Sequence, residues 1–195
     1  MITKAPIIQQ HELTMLCNNR CGFCYNPVRC LKVLESSKED RHRNIRIAEI
    51  SIEKGVMAVC LTGGEPLLAG NHFYEVLSTY RQAGCYLSIN TNGRLVTPRV
   101  ADRLSSLGLK SALISLHGTC DLHNSMVGEK NAFQETWRGI ENFRASGVRV
   151  VPNFVATAKN IHGLFAVGQE LAKAGFKFMT ATPFLPSWRA ASHLQ

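Results

Sequence analysis

Nowhere in the 195 residues does an apolar run approach the ~20 that a membrane-spanning helix needs. The opening MITKAPIIQQHELT has neither the apolar core nor the small-residue cleavage site of a signal peptide, so the chain is expected in the cytoplasm. A disulfide framework is missing too: the seven cysteines are odd in number and scattered. Basic and aromatic residues are not interleaved as in single-strand binders. Nucleic acid is therefore not an expected partner, despite the formal charge of +8. The densest basic patch, Arg41, His42, Arg43 and Arg46, reads as a solvated helix face. No linker or low-complexity segment divides the chain, and its length suits one buried core, so residues 1–195 are expected to form one domain. With 45% hydrophobic and 18% charged residues, the composition is that of an ordinary globular domain rather than a disordered chain.

Against that plain background stands CNNRCGFC, residues 17 to 24. Cys17, Cys21 and Cys24 are spaced Cys-x3-Cys-x2-Cys, with Phe23 just before the last. Thiolates are soft ligands and select iron–sulfur clusters, zinc or copper(I) over hard cations. Structural sites normally take four protein ligands, so three thiols suggest a centre with one open position. Two other readings stay open on this stretch alone. Cys30 could complete a zinc site as Cys-x3-Cys-x2-Cys-x5-Cys, or the thiols could simply be packed. Cys60 and Cys85 lie in apolar runs and read as buried, inert thiols.

The rest of the chain alternates strand and helix. HELTML (residues 11–16) reads as the first strand, and residues 31–38 as loop. A helix is expected over about 40–54, with Ile45, Ala48 and Ile52 on one face and Gly55 as its stop. VMAVCL has the β-branched, apolar character of a strand buried on both faces, and ends in TGGEPLL. Asn71 is expected to cap a helix whose inner face carries Phe73, Val76, Leu77 and Tyr80. CYLSIN and TNG follow, then a helix begun by Thr97 and Pro98. LISLHG is the fourth strand, with a polar loop to about residue 131 and a helix carrying Phe133, Trp137, Ile140 and Phe143. VRVVPNFVAT is the fifth strand, where Pro152 implies a strand end or bulge. Asn160 is expected to cap the next helix, and FKFMTATPFL is the sixth strand.

Such an alternation gives parallel strands joined by right-handed crossovers. Eight units close a barrel at about 250 residues, so six make a partial (β/α)6 TIM-like barrel, α/β in class and open on one side. Ligands of parallel α/β sheets bind at the carboxyl ends of the strands. The unusual residues gather there: the thiol loop, TGGEP, TNG, Ser115 with His117, and Asn153 in the fifth strand.

Together these motifs resemble those of the radical S-adenosylmethionine (SAM) enzymes. The resemblance rests on CNNRCGFC, on GGEP at the next strand end, and on the order of elements over essentially the whole chain. GGEP, TNG, ISLHG and NFVAT look most like the branch that modifies peptides and proteins. Cofactor-assembly enzymes of the molybdopterin-precursor type share several of these features.

The resemblance implies that Cys17, Cys21 and Cys24 hold three irons of a 4Fe–4S cluster, and that SAM chelates the fourth. Glu65 would accept from the SAM amino group, with Gly63 and Gly64 against its methionine part. Thr91, Ser115 and Asn153 would meet the ribose or carboxylate, and the backbone near Phe23 the adenine. Reductive cleavage would give a 5′-deoxyadenosyl radical that takes hydrogen from a substrate, a peptide or a small molecule. An electron donor such as flavodoxin or ferredoxin is implied as partner. His117 stands where the peptide-modifying branch has an aspartate, and Val127 where some members carry an arginine. No cysteine-rich C-terminal domain is encoded, so the chain is expected to be a minimal member or a piece of a longer one. A non-catalytic zinc or cluster module would explain Cys17 to Cys30 but not Glu65 on the adjacent rim. Cys120 is expected in the loop above the fourth strand, where a thiol could give hydrogen to a substrate radical or ligate a substrate; a loop cysteine without a role is the plainer reading.

Overall fold

The computed structural model describes residues 7–26 and 38–184. Six strands form one parallel sheet: β1 (Ile8–Glu12), β2 (Ala58–Thr62), β3 (Tyr86–Thr91), β4 (Leu109–Ser115), β5 (Arg149–Ala156) and β6 (Thr180–Pro183). Their spatial order is their chain order, and every neighbouring pair is parallel. Helices α1 (Lys38–Glu53), α2 (Asn71–Gln82), α3 (Pro98–Ser106), α4 (Cys120–Val127), α5 (Ala132–Ala145) and α6 (Leu164–Lys173) lie between them. An order that never reverses curls the sheet into the expected open half-barrel. Among the described residues no helix is long and apolar enough to cross a membrane.

The register separates two faces. Val59, Leu87 and Leu109 make one row; Leu61, Ile89, Ala112 and Val150 make the next. All are buried, packed with Phe73, Val76, Leu77 and Tyr80 of α2, Leu104 of α3 and Phe143 of α5. Fully burying one such side chain stabilises by roughly 1.5–3 kcal/mol. The opposite, inner face carries Gln10, Cys60 and Ser88 in one row, and Ser115, Asn153 and Thr180 in another. Here Cys60, Ser88, Ser115 and Asn153 are half-buried. The expectation that the β2 segment is buried on both faces therefore fails: a half-barrel leaves its inner face open.

Several local expectations also change. β1 begins and ends earlier than residues 11–16, because its buried outer position is His11, 2% exposed, not a leucine. The segment expected to be loop as far as residue 131 holds α4, which Gly128 ends in the left-handed conformation at φ 71°. Asn71 is the first residue of α2, whose cap is Gly70. Asn160 caps nothing with its side chain; it accepts from Thr157 N–H at 2.7 Å and donates to His117 O at 3.1 Å. Pro152 makes neither an end nor a bulge in β5. Asn153 turns its carbonyl to β4, accepting from Leu116 N–H at 2.8 Å. By alternation Pro152 faces β6, which begins only opposite Asn153. Its missing N–H therefore costs no ladder bond.

Other expectations hold. Thr97 accepts from Val100 N–H, with Pro98 in the first turn of α3. The basic patch of α1 is a solvated face, with Arg41 paired to Glu75 at 2.6 Å, Arg43 to Asp40 at 3.0 Å and Arg46 to Glu49 at 3.3 Å. Cys30 and residues 31–37 lie outside the described residues.

Candidate functional site

The chain leaves β1 and pairs on with the end of β2, which fixes where the thiol loop starts. Leu13 N–H donates to Thr62 O at 2.9 Å, Gly64 N–H to Thr14 O at 2.7 Å and Glu65 N–H to Leu16 O at 2.7 Å. The two backbones lie so close that a Cβ on Gly63 would stand 2.4 Å from Thr14 O, and one on Gly64 2.2 Å from Leu16 O. The glycine pair thus admits the chain's own thiol-bearing loop.

Cys17, Cys21 and Cys24 are half-buried and free of disulfides. Asn19 N–H donates to Cys17 Sγ and Asn26 N–H to Cys24 Sγ, each at 3.4 Å. Burial pushes the Cys17 thiol up to about 11; Asn19 N–H works against this, while Glu65 and Cys24 add to it. Among the described residues no three His, Cys, Asp or Glu side chains are already gathered as a metal-holding set. The donor set still suits a soft metal centre: three thiols outside any disulfide on one tethered loop, two of them receiving backbone N–H bonds. Loading would draw the sulfurs together and displace their protons.

Glu65 is fully buried beside that loop. Its carboxylate accepts from Leu67 N–H at 3.2 Å, from Thr91 Oγ1 at 2.8 and 2.9 Å, and from Asn92 N–H at 2.9 Å. Burial nevertheless raises its pKa to about 7. A carboxylate has about four acceptor sites, so three donors leave room for one more.

The TNGR turn after β3 reaches the same loop. Asn92 Nδ2 donates to Asn18 Oδ1 at 2.6 Å. Arg94 Nη1 donates to Asn18 O, and to Asn19 Oδ1 at 2.7 Å, while its Nε meets Glu135. From α4, Val127 O accepts from Arg20 N–H at 2.7 Å. Arg20, Arg94, Glu129, Lys130 and Glu135 border a cleft of about 570 Å³ next to the loop. Asn18, Asn92 and Arg94 escaped the sequence reading, although TNG followed by arginine and the paired asparagines between the first two cysteines were visible.

At the end of β4, His117 backs Phe23, ring centroids 4.8 Å apart and edge to face. His117 Nδ1 accepts from Val155 N–H at 3.2 Å, and His123 Nδ1 from His117 N–H at 3.0 Å. Burial lowers these imidazoles to about 3 and about 4, so both are neutral at physiological pH. Ser115 and Asn153 sit side by side on the inner face. Asn153 Oδ1 accepts from Thr180 at 2.8 Å and Thr182 at 3.0 Å. Cys120 opens α4 rather than lying in a loop, and its sulfur accepts from Gln134 Nε2 at 3.0 Å, on the side of α5. Cys60 and Cys85 are half-buried, less enclosed than expected; their thiols donate to Asn90 Oδ1 at 3.1 Å and Val56 O at 3.3 Å.

The profile of the radical SAM superfamily matches residues 12–164. An AdoMet-dependent heme synthase of Methanosarcina barkeri is 26% identical over 186 residues, 93% of this chain and 52% of that protein. A PqqA peptide cyclase of Ruegeria pomeroyi is 30% identical over 166 residues, 84% of this chain and 43% of that protein. The structure of anSMEcpe with bound AdoMet and Kp18Cys peptide shares the fold, with TM-score 0.73 at 22% identity over 92% of this chain and 51% of that one. The chain spans about half the length of the curated relatives it matches, or less.

Proposed function

The chain belongs to the radical SAM superfamily, whose members bind a 4Fe–4S cluster and SAM, and on that premise we propose that it binds both and uses them on a peptide substrate. The observation that carries this is the joining of the thiol loop to Glu65. Three thiols outside any disulfide and a buried carboxylate with one acceptor position left are held on one backbone ladder. Bound together, the cluster and SAM would supply reductive carbon–sulfur cleavage and, from it, the capacity to abstract hydrogen from a substrate.

The chain's own residues bind and orient. Cys17, Cys21 and Cys24 supply three thiolates. Glu65 would accept from the SAM ammonium. Thr91 gives its hydroxyl hydrogen to Glu65 and so holds that carboxylate in place. Asn153, its oxygen engaged by Thr180 and Thr182, would contact a ribose or carboxylate oxygen together with Ser115. The backbone at Phe23, whose ring is backed by His117, would meet the adenine. The open inner face, with Gln10, Cys60, Ser88 and Asn90, offers polar contacts to an extended substrate. Flavodoxin or ferredoxin serves as electron donor.

The peptide reading draws on the likeness to the peptide cyclase. A cofactor precursor is the second reading, favoured by the likeness to the heme synthase over nearly the whole chain. The test is anaerobic reconstitution with iron and sulfide, chemical reduction, and assay of 5′-deoxyadenosine. A fully loaded protein that leaves SAM intact overturns the proposal. Stimulation of cleavage by a peptide encoded beside the gene, but not by a porphyrin, selects the first substrate class; the reverse selects the second.

A further inference from the structure

We propose that Arg94 is a positioning residue for the thiol loop and sets the reduction potential of the centre that loop carries. This inference rests on the cluster-binding reading above. The guanidinium is 13% exposed and lies between two part-exposed carboxylates, with Nε on Glu135 and Nη2 3.9 Å from Glu129. What it does with the remaining donors is specific. Nη1 holds both the Asn18 carbonyl and the Asn19 side chain, two of the three residues separating Cys17 from Cys21. Asn92, two residues earlier in the same turn, holds the Asn18 side chain. The Cys-x3-Cys segment is thus gripped from one turn at three oxygens, while Arg20 N–H secures its far end on Val127 O.

Two consequences follow for the sulfur chemistry. Asn19 is the residue whose N–H donates to Cys17 Sγ. Fixing its side chain fixes the direction of that bond, and hydrogen bonds to the sulfurs raise cluster potentials. The guanidinium is also a permanent positive charge bonded to the residue next to Cys17. A positive charge favours the reduced, more negative form of a cluster, and a nearly buried one is poorly screened by salt. Both effects act in the same sense: Arg94 makes the centre easier to reduce. Glu135, and Glu129 which Arg94 shares with Arg20, hold that charge in place and oppose it, so its loss in a neutral variant shifts the balance beside the loop toward negative.

The test compares wild type, Arg94→Lys and Arg94→Gln after anaerobic reconstitution, with iron and sulfide content and a potentiometric titration followed by electron paramagnetic resonance. Arg94→Gln is expected to titrate at a more negative potential. Arg94→Lys, which keeps the charge but loses the planar fork, is expected to fall between it and wild type. Equal potentials in fully loaded Arg94→Gln and wild type overturn the proposal. A second measurement covers variants that lose the cluster: alkylation rates of individual thiols in the full chain as purified, before iron is added. In Arg94→Lys, which keeps the charge beside the thiols but loses the fork, Cys17 and Cys21 should react several-fold faster, with Cys60 and Cys85 unchanged. Unchanged Cys17 and Cys21 rates, or equal acceleration of all four thiols, overturn the positioning role. Wild-type protein that takes up no four-iron cluster sinks the functional reading, while the alkylation rates still judge Arg94.

Discussion

On the outer face of the sheet, His11, Asn44, His72 and Tyr80 form a polar network sealed beneath α1 and α2; at the rim, Glu65, Thr91, Asn92, Asn18 and Arg94 form another. The first is knit together between the sheet and the two helices. Tyr80 Oη lies 3.0 Å from His11 Nδ1, and Asn44 spans His11, His72 and the Leu13 carbonyl at 2.9–3.3 Å. Each member is at most 3% exposed. Burial drives the His11 pKa down, which suits a neutral ring bonded to Tyr80 and Asn44. The rim network is as polar and nearly as enclosed, yet it runs outward, from a carboxylate with spare accepting capacity to the thiol loop and a cleft. Buried polar groups of similar composition can therefore serve packing or chemistry. The difference lies in whether their bonds are exhausted inside the protein.

That contrast can be broken. The largest effect should come from the thiols: Cys17→Ala, Cys21→Ala or Cys24→Ala should abolish cluster uptake and SAM cleavage. Cys60→Ala and Cys85→Ala should leave the iron content unchanged. Iron and sulfide analysis of reconstituted protein decides it, and an intact cluster in Cys21→Ala removes the basis of the rim's assignment.

The mirror experiment is Asn44→Leu beneath the helices. It strips His11, His72 and Leu13 O of a partner, at about 1–3 kcal/mol for each buried group left unpaired. Urea unfolding should show the loss, while iron bound per folded molecule stays at the wild-type level. Should iron uptake fall in step with stability, the two networks are not separable.

Glu65→Gln probes the spare capacity itself. Removing the charge that meets an ammonium costs roughly 1.5–3 kcal/mol, so SAM affinity should drop by about 10- to 100-fold while the cluster still assembles. Equilibrium binding that matches wild type would make GGEP a turn and nothing more.

The smallest effect is a slope in pH. An unfolded histidine titrates near 6.5, but folded His117 and His123 sit at about 3 and about 4. Their contribution to stability is present above 6.5 and is lost as the pH falls from 6.5 toward 4. Glu65 runs the other way: its folded pKa of about 7 exceeds the ordinary 4.5, so its contribution is present below 4.5 and lost as the pH rises through 7. His123→Gln keeps an acceptor for His117 N–H but cannot titrate. It should flatten the acid limb by up to about 1.4 kcal/mol per pH unit. Melting temperatures between pH 6.5 and 4.5 measure this. A limb flattened instead by His11→Gln, and not by His123→Gln, would place the acid sensitivity beneath the helices.

Period and punctuation in the sequence determined the half-barrel. Phe73, Val76, Leu77 and Tyr80 recur at helical spacing and are all fully buried, and glycines close most of the helices, because these are local properties of the chain. CNNRCGFC and GGEP were legible for the same reason, since ligand spacing and a glycine pair are written in consecutive residues. What stayed hidden depended on partners far apart in the chain. The β1 boundary turned on His11 finding Tyr80, 69 residues away. Pro152 sits without a bulge only because β6 starts one position later. The grip of Arg94 on Asn18 and Asn19 spans more than seventy residues. Local spacing can say which groups are present and which face they share. Only the curl of the sheet, which brings four strand ends onto one rim, decided which of them meet.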